Sequence, residues 1–155
     1  MITLQGKVLS LNFIENLSMD YLKIYKDKTI LITGGAGAIG CNLSRKLAEA
    51  GAAKVIILDD LSASYTWNIP NLPNVLFVKG SITNDIDLKR VFREKPIYIF
   101  HLAAFFANQN SVDYPEKDLM VSQLGTIKML EHAVLMGGVK RFVYAGSGCA
   151  IYGTQ

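Results

Sequence analysis

The chain has 155 residues, half of them hydrophobic, with a formal net charge of +3 and a mean hydropathy of +0.25. That length supports one domain with a real core, and the mild, scattered charge argues against a nucleic-acid-binding surface. No apolar stretch reaches the roughly 18 residues of a membrane span, and the N-terminus lacks a basic-then-apolar signal segment. Cys41 and Cys149 have neither metal-type spacing nor a secretory context, so reduced thiols in a cytoplasmic protein are expected.

Residues 1–27 read as a leader. Asn12 to Tyr25 has the pattern of a short amphipathic helix with Phe13, Leu17, Tyr21 and Ile24 on one face. The strand–helix alternation begins after it, in residues 28–155. The expected strands are Thr29–Thr33, Lys54–Asp59, Val75–Lys79, Ile97–Ala103 and Arg141–Ala145. The expected helices are Ile39–Ala50, Ile86–Glu94 and one long helix from Pro115 to Met136. Strands separated by helices imply right-handed crossovers and a parallel sheet covered on both faces. The continuous apolar runs suit such a sheet. The expected fold is α/β, a Rossmann-type doubly wound sheet of order 3-2-1-4-5, with the ligand at the switch between strands one and four. Lys89, Arg90, Arg93 and Lys95 fall at helical spacing beside Asp87 and Glu94, as on a solvated helix face. In the long helix, Leu119, Met120, Val121, Leu124, Ile127, Met129, Leu130, Val134, Leu135 and Met136 spread around most of the circumference. One side is expected to cover the sheet. The other would meet a partner subunit, making a homodimer through helix 115–136, or a further part of the same chain.

The segment Thr33-Gly34-Gly35-Ala36-Gly37-Ala38-Ile39-Gly40 lies between the first strand and the first helix. It satisfies G-x-G-x-x-G in the context the motif requires. Glycines permit a tight turn and close approach of a pyrophosphate, and the helix N-terminus supplies free N–H groups and a positive dipole end. Asp59 closes the second strand nineteen positions beyond Gly40, where a dinucleotide fold places its ribose-binding acid. A carboxylate there repels a 2′-phosphate, and no Arg lies between Asp60 and Lys89, so NAD is expected in preference to NADP.

These residues resemble the extended short-chain dehydrogenase/reductase family. The resemblance is to its NAD-dependent nucleotide-sugar epimerases and dehydratases, of the 4-epimerase type. The likeness runs from Thr29 to Gly153: Thr33 to Gly40 is similar to the family's T-G-x-x-G-x-x-G, Asp59-Asp60-Leu61-Ser62 to its D-N-L-S, and His101-Leu102-Ala103-Ala104 to its H-x-A-A. Ser111-Val112, Pro115 and Gly125-Thr126 follow at matching spacings, and Phe142-Val143-Tyr144 and Tyr152-Gly153 frame a segment one residue longer than the family's pattern. The resemblance implies that Gly34, Gly37, Ala38 and Ile39, with Gly40 in the same motif, line the pyrophosphate. Asp59 and Asp60 would take the adenosine ribose, and Ser81 and Ile82 would flank the adenine. Leu102, Ala103 and Ala104 would run along the cofactor towards the nicotinamide. Ser147 would be the catalytic hydroxyl, counting forward from Phe142; counting backward from Tyr152 reaches Gly148, which has no hydroxyl.

The chain departs from the family's pattern at Ser81, where Asp is common, at Phe106, where the 4-epimerases have Lys, and at Ser122, where Asn is usual. His101 is expected in a packing role. The family's Tyr-x-x-x-Lys belongs downstream of Tyr152-Gly153, and the sequence stops at Gln155. The expectation is therefore a fold truncated before the final strands and the substrate domain, with little or no turnover alone. The implied substrate is a nucleotide sugar, with a UDP-sugar favoured. Two other functions use the same motifs: a non-catalytic dinucleotide-binding module, and a reductase of another carbonyl substrate.

Overall fold

The computed structural model describes residues 3–4, 7–8, 21–105 and 108–146. Five parallel strands form the central sheet: β1 (Thr29–Thr33), β2 (Lys54–Asp59), β3 (Val75–Lys79), β4 (Tyr98–His101) and β5 (Arg141–Tyr144). Their spatial order is β3-β2-β1-β4-β5, the expected 3-2-1-4-5 of a Rossmann-like α/β fold. The register pairs Ile30 with Val55 and with Tyr98, so the switch between β2 and β4 falls beside β1. A separate antiparallel pair, Thr3–Leu4 with Lys7–Val8, lies in the region read as a leader.

Alternation along β1 and β2 divides the core into two layers. Ile30, Ile32 and Val55 face Leu47, Ala48 and Ala52 of helix α1 (Ala38–Glu49) and the segment after it. Leu31, Ile56 and Leu58 face the opposite way, towards Leu88, Val91 and Phe92 of α2 (Asp85–Phe92). Helix α2 starts where Asn84 Oδ1 accepts from the Ile86 and Asp87 N–H groups, at 2.8 and 3.3 Å. Asp85 and Asp87 occupy its first turn and Lys89 and Arg90 its last, which complements the helix dipole. Lys89, Arg90, Arg93 and Lys95 are exposed, as a solvated face requires.

Two sequence expectations need correction. Residues 21–25 form a 3-10 turn rather than the end of an α-helix. Its inward residues are Leu22 and Tyr25, which pack on the α1-side core, while Tyr21 and Ile24 are exposed. Residues three apart share a face in either helix type, so the pattern pairs Tyr21 with Ile24 without saying which pair faces the core. The rest of the expected leader helix lies outside the described residues.

The long helix is also not uniform. A separate helix α3 (Asn108–Asp113) precedes it, and it comprises α4 (Pro115–Asp118), a π-helical stretch Leu119–Leu124 and α5 (Gly125–Met136). One of its sides packs on the core, as expected, and the other is uncovered in this chain. Gly125, Met129 and Ala133 are buried on the α2-side core, whereas Leu119, Met120, Ile127, Leu130, Val134 and Leu135 are exposed. Among the described residues no helix is long and apolar enough to cross a membrane.

Candidate dinucleotide cleft

At the carboxyl ends of β1, β2 and β4 the sheet opens into a cleft of about 670 Å³, the position where open α/β sheets place ligands. Its floor is the turn after β1. Gly34 has φ +66°, and a Cβ there would stand 2.8 Å from the Ala103 nitrogen. The first turn residue and the end of β4 are thus in backbone contact that only glycine permits. Gly40 is buried, and a side chain on it would collide with the Gly34 carbonyl oxygen. This glycine sets how closely α1 approaches the turn. The helix begins after Gly37, which makes no side-chain cap, so its first N–H groups and positive dipole end are left for an anion.

Asp59 holds this turn from the side. It is 9% exposed, and its carboxylate accepts from Ala36 N–H at 2.9 Å, Leu61 N–H at 2.9 Å and Ser64 Oγ–H at 2.8 Å. The Asn68 amide donates to the Ala36 carbonyl at 2.9 Å. Both polar groups of Ala36 are therefore bound to β2 and the loop after it. Leu61 takes a positive φ of 64° in that loop, a conformation that costs a branched residue energy and persists only where surroundings enforce it. Asp60 is exposed and accepts only from Ser62 N–H among its described contacts, at 2.8 Å.

The inner wall is Leu102, Ala103, Ala104 and Phe105, just beyond the end of β4. A chain of buried hydrogen bonds supports it. Ala103 N–H donates to Thr33 Oγ1 at 3.2 Å, and Thr33 Oγ1 lies 2.7 Å from His101 Nδ1. His101 Nε2 lies 2.9 Å from Thr126 Oγ1, which donates to the Ser122 carbonyl at 2.7 Å. The Thr126 hydroxyl has one proton and spends it on that carbonyl, so it accepts from His101. His101 is then the Nε2–H tautomer, its Nδ1 accepts from the Thr33 hydroxyl, and every group is satisfied. Burial pushes the His101 pKa down to about 4, keeping the ring neutral. The packing role expected for this histidine is what the structure has.

Of the residues singled out in the sequence, Gly34, Gly37, Ala38, Asp59, Asp60, Ser81, Ile82, Leu102, Ala103 and Ala104 all line this one cleft. Ile39 is exposed and Gly40 buried, and neither lines it. Ser147 and Phe106 lie outside the described residues. Sequence reasoning did not single out Ser64, Phe105, Lys117 or Val121 as lining residues. Ser64 had a legible signal in its position within the loop after Asp59. Phe105 lies just beyond β4, and Lys117 and Val121 reach the cleft from the helical stretch 115–124.

The glycine turn, the uncapped helix and the paired acids fit a dinucleotide, and comparison with known proteins decides the relationship. Residues 30–155 match the NAD dependent epimerase/dehydratase family. The chain belongs to that family. The UDP-glucose 4-epimerase of Mycolicibacterium smegmatis is 41% identical over 128 residues, covering 80% of this chain and 40% of that protein. An epimerase structure from Methanothermobacter thermautotrophicus superposes with a TM-score of 0.84 at 61% identity, covering 87% of this chain and 40% of that one. The WbmF enzyme of Bordetella bronchiseptica, solved with NAD+ and UDP, gives a TM-score of 0.74 at 33% identity, covering 79% and 36%. This member of the epimerase/dehydratase family thus spans about 40% of the length of such relatives. The NAD expected from the sequence agrees with the family's description and with the cofactor in that solved relative.

Proposed function

We propose that residues 28–155 are the NAD-holding part of a nucleotide-sugar epimerase or dehydratase that works by transient oxidation of a sugar hydroxyl. One observation carries this: the uncapped N-terminus of α1 opens onto the same cleft as Asp59, Asp60 and the Leu102–Ala104 wall. In this reading Gly34, Gly37 and Ala38 meet the pyrophosphate, with Ile39 and Gly40 completing the turn. Asp60 takes the adenosine ribose alongside Asp59, and Ser81 and Ile82 flank the adenine. Bound NAD would supply a hydride acceptor and donor. Ser147 would hydrogen-bond a sugar oxygen.

A UDP-sugar is the favoured substrate class, supported by the named activity of the mycobacterial relative and the UDP held by the Bordetella enzyme. The exposed apolar residues of α5 support a homodimer through helix 115–136, which light scattering tests. The 155 residues contain no Tyr-x-x-x-Lys, so this polypeptide alone should bind NAD without turnover. Calorimetric titration checks the first part. NAD should bind, NADP should bind at least about tenfold more weakly because of the carboxylates, and Asp60→Ala should narrow that gap. Absence of NAD binding at millimolar concentration would refute the cofactor reading. Conversion of UDP-galactose to UDP-glucose by the polypeptide would refute its inactivity.

A further inference from the structure

We propose that Ser122 is a positioning residue that sets the inner wall of the cleft by holding the Phe105 peptide. The inference rests on the cofactor reading above, because the wall matters through what lies against it. Residues 102–105 run past the end of β4, and the sheet ladder between β4 and β5 stops at the pair His101–Tyr144. Beyond that point Leu102 N–H still donates to the Thr33 carbonyl at 3.1 Å, and after it hydroxyl groups hold the wall. Ala103 N–H is held by Thr33 Oγ1 at 3.2 Å, and Phe105 N–H by Ser122 Oγ, also at 3.2 Å. These anchors are two residues apart on one segment.

Ser122 is itself fixed from both ends. Its hydroxyl donates to Asp118 Oδ1 at 2.7 Å, leaving the oxygen lone pairs to face the Phe105 N–H. Its carbonyl accepts from Thr126, the last member of the chain that runs through His101 to Thr33 and Ala103. The two anchors of the wall therefore belong to one hydrogen-bonded network that spans β1, β4 and the π-helical stretch. A π-helical turn is a rare departure from α geometry and concentrates at functional sites. Here it carries the residue that reaches the wall.

The wall lines the part of the cleft assigned to the nicotinamide half, while the adenosine side is built from β2 and β3 residues. A loosened Phe105 peptide should thus affect one half of the ligand and not the other. The test compares NAD with ADP, which has the adenosine and the pyrophosphate but no nicotinamide riboside. Ser122→Ala should weaken NAD about tenfold, the effect of orphaning one peptide N–H, and leave ADP within about twofold. Ser122→Thr keeps the hydroxyl and should restore NAD binding to within about threefold. Equal weakening of NAD and ADP in Ser122→Ala, unchanged NAD binding, or failure of Ser122→Thr to rescue would overturn the positioning role. Failure of the unsubstituted chain to bind NAD would instead overturn the cofactor reading, and the inference with it.

Discussion

The two halves of the sheet use the same kinds of residue and reach different ends. In the half that holds the glycine turn, Ile30, Leu31, Ile32, Val55, Ile56 and Ile57 are all fully buried, with helices covering both faces. In the other half, Val143 and Tyr144 of β5 are 36% and 58% exposed, and Val134 and Leu135 of α5 exceed 79%. The Phe-Val-Tyr run of β5 is less apolar than Ile-Leu-Ile, yet Val143 itself is of the same kind as the buried residues of the other half. Burial is set by how many layers a residue lies beneath, which its own pattern does not encode. The cleft sits at the junction of these halves, with its floor in the closed one and its inner wall leading towards the open one.

Several substitutions would break or sharpen that contrast. The largest effect is expected at Ile56, buried in the α2-side core. Ile56→Ala should cost about 4 kcal/mol in urea unfolding, as loss of transfer energy plus an unfilled cavity. Val143→Ala, in the partly exposed edge strand, should cost under about 1 kcal/mol. Comparable losses at the two sites would show the halves to be alike.

Next comes acid. His101 is neutral in the folded chain with a pKa of about 4, against an ordinary 6.5. The unfolded chain takes up the proton first as pH falls. Stability is therefore fully present above pH 6.5, declines towards pH 4 and levels below it, a loss approaching about 3 kcal/mol. His101→Gln should flatten that segment of a plot of unfolding free energy against pH. A smaller effect is expected at the start of α2: Asn84→Ala removes the acceptor of two helix N–H groups and should cost about 1 kcal/mol. Smallest of all, Val134→Ser on the open face of α5 should change stability by no more than about 0.5 kcal/mol in the monomer.

How much of this was legible beforehand follows from the kind of signal involved. Strands β2 and β3 have the predicted bounds, because an apolar run bounded by turn residues leaves little choice. The cleft residues Gly34 and Asp59 were legible because strand, turn, helix and acid must occur in that order to build the site, and Ala103 through the resemblance of His101-Leu102-Ala103-Ala104 to the family's H-x-A-A. The π-helical stretch was not legible, since Leu119–Leu124 has ordinary helix-forming composition and the contact of Ser122 with Phe105 comes from elsewhere in the chain. The hydrogen-bond chain through Thr33, His101 and Thr126 joins residues 68 and 25 positions apart, a separation that no local pattern announces. The stripe of Tyr21 and Ile24 was misassigned because either helical period pairs these two residues but does not say which face meets the core.

Asp59 is a joint as well as a binding candidate. Its oxygens grip Ala36 in the glycine turn and Leu61 and Ser64 in the next loop. Anyone redesigning this scaffold for a 2′-phosphorylated cofactor would begin by neutralising the acids after β2. At Asp60 that is a change of surface charge. At Asp59 it unfastens the glycine turn from the loop beside it, so the new preference would arrive with a looser floor. Swapping ligand preference here would thus require transplanting turn and loop together as one piece.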